Sequence, residues 1–260
     1  MEDILYNMFS SVHLKGKQYL ITGGAKGIGK ETASIMSDLG AKVIIIDRNE
    51  LESTQAIELF NNSNIHKFYK FDFSNVNEIE MQIQQIINEN GPLDGFIHCV
   101  GARSRRPLSL LNVSAIQEIL NVNFVSFIEM IRVVCKKNNF NSGLSIVGVS
   151  SIASSVGHKS VTAYAASKAA MDSSIRCLAK ELAVKDIRLN SVVPSVINTE
   201  VYRSFISNDN RPNPENSISE RQYLGLGQPI DVANAIIFLL SPESRFITGS
   251  SISVDGGFLS

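Results

Sequence analysis

Gln18-Tyr19-Leu20-Ile21-Thr22 runs without interruption into Gly23-Gly24-Ala25-Lys26-Gly27-Ile28-Gly29, and Lys30 to Leu39 then continue in a helical pattern. An apolar strand, a glycine turn and a helix in direct succession make the opening unit of a parallel α/β sheet. Glycines let the chain turn tightly and keep Cβ atoms away from any group bound there, while the first amides of the helix face an anion. A dinucleotide pyrophosphate is the group this geometry suits. The spacing is G-x-x-x-G-x-G rather than the commoner G-x-G-x-x-G.

The same alternation extends along the 260 residues. Strands are expected at Gln18 to Thr22, Lys42 to Asp47, His66 to Phe71, Gly95 to Val100, Gly143 to Ser150, Arg188 to Val193 and Ser250 to Val254. Helices are expected near Gly29 to Leu39, Glu50 to Asn61, Val76 to Glu89, Val113 to Lys137, Ala163 to Val184 and Ile230 to Leu240. Runs such as Val43-Ile44-Ile45-Ile46 are apolar on consecutive residues, so both faces of the sheet are covered. The expected fold class is therefore α/β: one Rossmann-like, doubly wound sheet of about seven parallel strands, in a single domain over residues 1–260. Ser207 to Ser217, SNDNRPNPENS, breaks the rhythm and reads as a mobile loop, either a lid over the carboxyl edge or an ordinary surface excursion.

A hydrophobic fraction of 44% can supply a substantial core, and a formal charge of -1 gives no global attraction to nucleic acid or anionic lipid. No apolar run approaches the ~18 residues of a membrane span. Met1-Glu2-Asp3-Ile4 carries acid where a secretory signal carries base. Cys99, Cys135 and Cys177 lack metal-ligand or disulfide spacing, so no metal site is expected and a reducing, cytoplasmic compartment fits.

The second strand ends in Asp47, about twenty residues past the turn, where a carboxylate accepts from a ribose 2'-hydroxyl. That favours NAD(H). Lys26 and Arg48 keep NADP(H) open, because either suits a 2'-phosphate, and Arg48 equally suits adenine stacking or a solvated turn. Tyr164-Ala165-Ala166-Ser167-Lys168 places a phenol and an ammonium one turn apart on a helix. An ammonium ~4 Å from the phenol is worth ~4 kcal/mol at an effective dielectric of 20, which would draw the tyrosine toward neutrality as a proton carrier. Ser151, just after the fifth strand, offers a hydroxyl to a reacting carbonyl.

With these motifs in order, together with Asp72, Asn123 and Val254-Asp255-Gly256-Gly257, the chain resembles the short-chain dehydrogenase/reductase family from about Leu14 to Ser260, and the 3-oxoacyl thioester reductases within it. The resemblance implies hydride transfer between a nicotinamide dinucleotide and a secondary alcohol or ketone, with a tetrad of Asn123, Ser151, Tyr164 and Lys168. It implies that Asn123 distorts its helix and holds a water in a relay from Lys168, which also binds the nicotinamide ribose. It further implies cofactor contacts at Gly23, Gly27, Ile28, Gly29, Asp72, Phe73, Gly101, Pro194, Ile197 and Thr199, and a homotetramer built on the Val113 to Lys137 and Ala163 to Val184 helices. Two departures stand out: His98-Cys99-Val100-Gly101 replaces the family's Asn-Asn-Ala-Gly, and Pro194-Ser195 its Pro-Gly. Arg103, Arg105 and Arg106 are either solvated charges or a grip on an acidic or acyl-carrier substrate. A sugar, polyol or other small alcohol is the alternative substrate, and a non-catalytic dinucleotide sensor or scaffold the alternative of another class.

Overall fold

The computed structural model describes residues 14–207 and 221–260. Strands β1 (Gln18–Thr22), β2 (Lys42–Asp47), β3 (Lys67–Lys70), β4 (Leu93–His98), β5 (Phe140–Val149), β6 (Arg188–Pro194) and β7 (Ser251–Val254) form one sheet in the order β3-β2-β1-β4-β5-β6-β7. Every neighbouring pair is parallel. The chain works outward from β1 to β3 and then returns to β4 on the other side of β1. The carboxyl ends of β1 and β4 therefore flank the crevice that such a reversal opens.

Successive strand residues point to opposite faces, and both faces are dry. Leu20, Ile44 and Ile46 pack on one side with α3 (Ile79–Asn90), α5 (Ser126–Val134) and α6 (Thr162–Leu182). Tyr19, Ile21, Val43 and Ile45 pack on the other with α1 (Gly27–Asp38), α2 (Glu50–Glu58) and α8 (Pro229–Leu240). Helix α6 buries Met171, Ile175, Ala179 and Leu182, a stripe at helical spacing that fixes its rotation and carries Tyr164 and Lys168 with it.

Three differences from the sequence reading are local. The continuous helix expected over 113–137 is α4 (Val113–Leu120) and α5, joined by a π-helical turn at Asn121–Val125. A short helix, α7 (Glu200–Ser207), follows β6, and the loop expected over 207–217 lies outside the described residues beyond Ser207. The third strand is one residue shorter at each end than expected, and at its start the His66 ring, through Nδ1, accepts from the Val43 amide at 3.1 Å. No described helix is long and apolar enough to cross a membrane.

Candidate active site

The glycine turn leaves β1 at Gly23, which adopts φ +69°; a Cβ there would lie 2.8 Å from the Val100 amide nitrogen. Gly29 seats α1 against the strand so closely that a Cβ would come within 2.2 Å of the Gly23 carbonyl oxygen. Helices α2 and α4 are capped by the side chains of Asn49 and Asn112, whereas α1 begins after Lys26 with no side-chain cap and no acid in its first turn. Its Gly27 amide instead donates to the Glu200 carboxylate of α7 at 3.1 Å. An uncapped helix start that already draws in a carboxylate, framed by glycines no side chain can replace, fits a dinucleotide pyrophosphate. Ile28 packs its side chain on the core beneath the turn.

Asp47, at the end of β2, accepts from the Ala25 amide (3.2 Å) and the Asn49 amide (3.1 Å), which ties it to the turn. Lys26 is ion-paired with Glu52. The Ser74 amide donates to Asp72 at 2.9 Å and, with the Ser74 hydroxyl and the Arg48 guanidinium, holds that carboxyl below its ordinary value. Phe73 is buried beside Phe71. On the other wall, Pro194 pairs with Val254, Ile197 is buried, and a Cβ on Gly27 would meet the Thr199 methyl at 3.0 Å. The segment from Pro194 to Thr199 thus closes against the glycine turn.

The candidate catalytic side chains converge at the same edge. Ser151 follows β5, and its hydroxyl hydrogen-bonds Tyr164, which stands in the first turn of α6. The adjacent Ser150 is excluded from this role: its hydroxyl is buried and donates to Asp172 at 2.8 Å. Lys168, one turn deeper, is buried and donates to the Val149 carbonyl at 2.7 Å. Asn123 lies inside the π-helical turn, fully buried. Its amide nitrogen donates to the Ala102 carbonyl and the Ser167 hydroxyl, both at 2.9 Å, and its oxygen accepts from the Ala102 amide at 2.7 Å. Gly101 is thereby held beside Lys168, since a Cβ there would lie 3.6 Å from Nζ.

The electrostatics correct one expectation. Burial holds the Tyr164 phenol above its ordinary value, against the Ser151 hydrogen bond and the Arg103 charge, which pull it down. The phenol is thus not drawn down toward neutrality, and the Lys168 ammonium donates instead to the Val149 carbonyl. Burial pushes Lys168 itself down to about 8, against the opposing fields of Asp172 and Cys99.

The two departures from the family pattern are accommodated unequally, the buried His98 Nε2 having no hydrogen-bond partner among the described residues. The His98 Nδ1 meets the Thr22 hydroxyl at 3.2 Å, across the β1–β4 pair, and its ring lies among Phe73, Phe96 and Phe127. Burial drives His98 well below the usual imidazole range and pushes the Cys99 thiol up to about 12, so neither changes charge near neutrality. Ser195 avoids positive φ, and its hydroxyl donates to the Asp255 carbonyl at 3.2 Å.

Several residues of this region went unread in the sequence. Asp172, buried four residues after Lys168, receives the Ser150 and Ser191 hydroxyls, and the i,i+4 spacing from lysine was its one legible signal. Ser167 links Asn123 to α6 and Glu200 meets the glycine turn; both depend on contacts distant in sequence. The three arginines divide: the Arg103 guanidinium lies 5.7 Å from the Tyr164 ring centre, whereas Arg106 faces Glu118 at 3.9 Å.

Residues 23–259 match the family model described as enoyl-(acyl carrier protein) reductase. The chain is 29% identical over 254 residues to the 7alpha-hydroxysteroid dehydrogenase of Escherichia coli, covering 96% of this chain and 98% of that one. It is 27% identical over 246 residues to a 3-oxoacyl-(acyl-carrier-protein) reductase of Vibrio harveyi, covering 95% and 98%. Among solved structures, a short-chain type dehydrogenase/reductase from Mycobacterium ulcerans superposes with a TM-score of 0.87 at 29% identity, over 95% of this chain and 91% of that one. A parallel sheet with a glycine turn at its crevice, a Ser–Tyr–Lys edge and these likenesses make one conclusion: the chain belongs to the short-chain dehydrogenase/reductase family, oxidoreductases of alcohols and carbonyls that use a nicotinamide dinucleotide.

Proposed function

We propose that this enzyme interconverts a ketone and a secondary alcohol with NAD(H), and that Asn123, Ser151, Tyr164 and Lys168 carry the reaction. The observation that carries the reading is the convergence of the Ser151–Tyr164 hydrogen bond and the buried Lys168 at the carboxyl edge, next to the glycine turn. The bound nicotinamide supplies or accepts the hydride. Ser151 orients the substrate oxygen by hydrogen bonding, and Tyr164 gives its phenolic proton to the alkoxide that develops there. A phenol kept protonated by burial is the form that reduction requires. Lys168 keeps a positive charge behind the phenol below about pH 8 and holds the nicotinamide ribose. Asn123 fixes Ala102 and Ser167 so that Gly101 leaves room for the cofactor beside Lys168.

Asp47 supports NAD(H) over NADP(H). A 2'-phosphate ~4 Å from that carboxylate is opposed by ~1 to 4 kcal/mol for dielectrics between 80 and 20. The two cations that would welcome it already have acidic neighbours, Glu52 for Lys26 and Asp72 for Arg48. The names of the family model and the Vibrio relative put a 3-oxoacyl thioester among the substrates to be tried, with sugars and polyols beside it. Unpaired Cys99, Cys135 and Cys177 suit a cytoplasmic enzyme, and exposed Leu108, Leu110 and Val113 at the start of α4 suit a homotetramer, which a light-scattering mass would test. Tyr164→Phe tests the mechanism: it is expected to bind NAD(H) within about threefold of the parent while turnover falls by ~100-fold or more. Near-normal turnover in that variant refutes the proton donor.

A further inference from the structure

The rim above Tyr164 is built from three separated segments. The Arg106 amide donates to the Ser160 carbonyl at 2.7 Å, which joins the loop after β4 to the loop before α6. His158, in the latter loop, lies tilted against Phe258 with ring centres 6.1 Å apart. The guanidinium of Arg221 lies over the same Phe258 ring at 5.9 Å, and that of Arg103 lies over Tyr164 at 5.7 Å. Residues 101–112, 151–163 and 221–228 contain Arg103, Arg105, Arg106, His158, Lys159 and Arg221 but no Asp or Glu, with Arg106 turned toward Glu118 of α4. The one carboxylate of the C-terminal segment, Asp255, is turned back to the amides of Gly257 and Leu259. Mutual proximity shows in His158: burial first, then the charges of Arg103, Arg221 and Arg105, hold it below its ordinary value. Like charges gathered at a cleft mouth focus a positive field into the cleft.

Resting on the hydride-transfer reading, we propose that the substrate carries an anionic group, a carboxylate or a phosphate, a few bonds from its reacting carbon, and that Arg103 and Arg221 recognise that group. Arg103 sets the distance. Its guanidinium covers the ring whose hydroxyl meets the reacting oxygen, so an anion paired with it sits close to the carbonyl. The phosphate of an acyl-carrier thioester lies a whole pantetheine arm away and does not meet this requirement. Guanidinium suits the role because it binds carboxylate and phosphate oxygens in a fork while its plane rests on an aromatic face.

Oxidised dinucleotide cannot reduce a ketone, so calorimetric titration of that complex reads affinity without turnover. The ligands are 4-oxopentanoate against its methyl ester, dihydroxyacetone phosphate against dihydroxyacetone, and the neutral N-acetylcysteamine thioester of 3-oxobutanoate. At least one anion is expected to bind about tenfold tighter than its neutral partner and than the thioester. That preference is expected to shrink at least about threefold in Arg103→Gln and in Arg221→Gln. Preference for the carboxylate or for the phosphate names which anion is recognised. The proposal is overturned if neither anion outbinds its neutral partner, if the thioester binds as well as the anions, or if both substitutions leave the preference intact. Turnover with reduced dinucleotide is scored separately: neutral ketones reduced without any charge preference leave hydride transfer standing, and charge preference without turnover of any ketone removes the catalytic reading alone.

Discussion

Replacing Lys168 by methionine should stabilise the protein and stop it working. Lys168 is 4% exposed, and its ammonium titrates near about 8 in the folded protein against 10.5 for an unburied lysine. At 1.36 kcal/mol per pH unit, the folded state disfavours the charged lysine by about 3 kcal/mol relative to the unfolded chain. Lys168→Met keeps the length of the side chain and deletes the charge, but it leaves the Val149 carbonyl without its donor, which costs about 1 kcal/mol. The net gain at pH 7 is about 2 kcal/mol, or about 4 to 8 °C in Tm for a chain of this size. Between about pH 8 and 10.5 the unfolded parent binds more protons than the folded parent, so the parent gains stability as pH rises through that window. The advantage of the variant should therefore close by about pH 10. Thermal unfolding of both proteins at several pH values between 7 and 10 measures this directly. A variant no more stable at pH 7, or an advantage that does not change with pH, refutes the claim that Lys168 is held charged against burial. Loss of ketone reduction in the same variant would identify what that destabilising charge is for.

Ketone reduction should fall as pH rises through about 8, where Lys168 loses its charge, and a rate flat from pH 7 to 9.5 would disconnect the lysine from the rate. Asp47→Asn should raise the ratio of kcat/KM for NADPH over NADH by about tenfold by removing like-charge repulsion; an unchanged ratio would mean that the carboxylate does not face the 2' position. Glu200→Gln should tighten dinucleotide binding by about threefold, because the Gly27 amide loses a charged competitor for the same anion site, and weaker binding would show that Glu200 supports the cofactor instead. Gly29→Ala should lower stability by about 3 kcal/mol or more, since its Cβ would meet the Gly23 carbonyl at 2.2 Å and neither backbone can retreat; a Tm within about 2 °C of the parent would contradict that packing.

The fold was legible because its signals are local. Two of the seven strands, Gln18–Thr22 and Lys42–Asp47, carry apolar residues on both faces and were bounded correctly by composition alone. β5 begins three residues earlier than its apolar pattern, at Phe140, because Leu93 supplies a ladder partner that the polar residues Asn141 and Ser142 conceal. The π-helical turn at Asn121–Val125 is likewise invisible to periodicity, for the apolar spacing of residues 113–134 reads as one helix. Just after β5 the family resemblance distinguishes two adjacent serines, since its spacing of about twelve residues before the tyrosine fits Ser151 and not Ser150, and Ser150 is found facing inward to Asp172. What composition hides are contacts between distant segments, such as Glu200 with Gly27, or Arg221 and His158 sharing Phe258.

The Tyr164–Lys168 pair shows most clearly how spacing and electrostatics part company. Four residues of helix put both side chains on one face, and from that alone an ammonium beside a phenol follows. Packing then sets two further conditions. The stripe through Met171 and Ile175 turns α6 so that Lys168 points into the protein and reaches the Val149 carbonyl, while Tyr164, at the end of the helix, stays in the cleft with Ser151 and Arg103. Desolvation of the phenol outweighs both partners, so it is kept protonated. In the proposed mechanism the protonated phenol is the form that carbonyl reduction consumes and alcohol oxidation regenerates, with Lys168 one turn behind it and the Arg103 guanidinium across the ring.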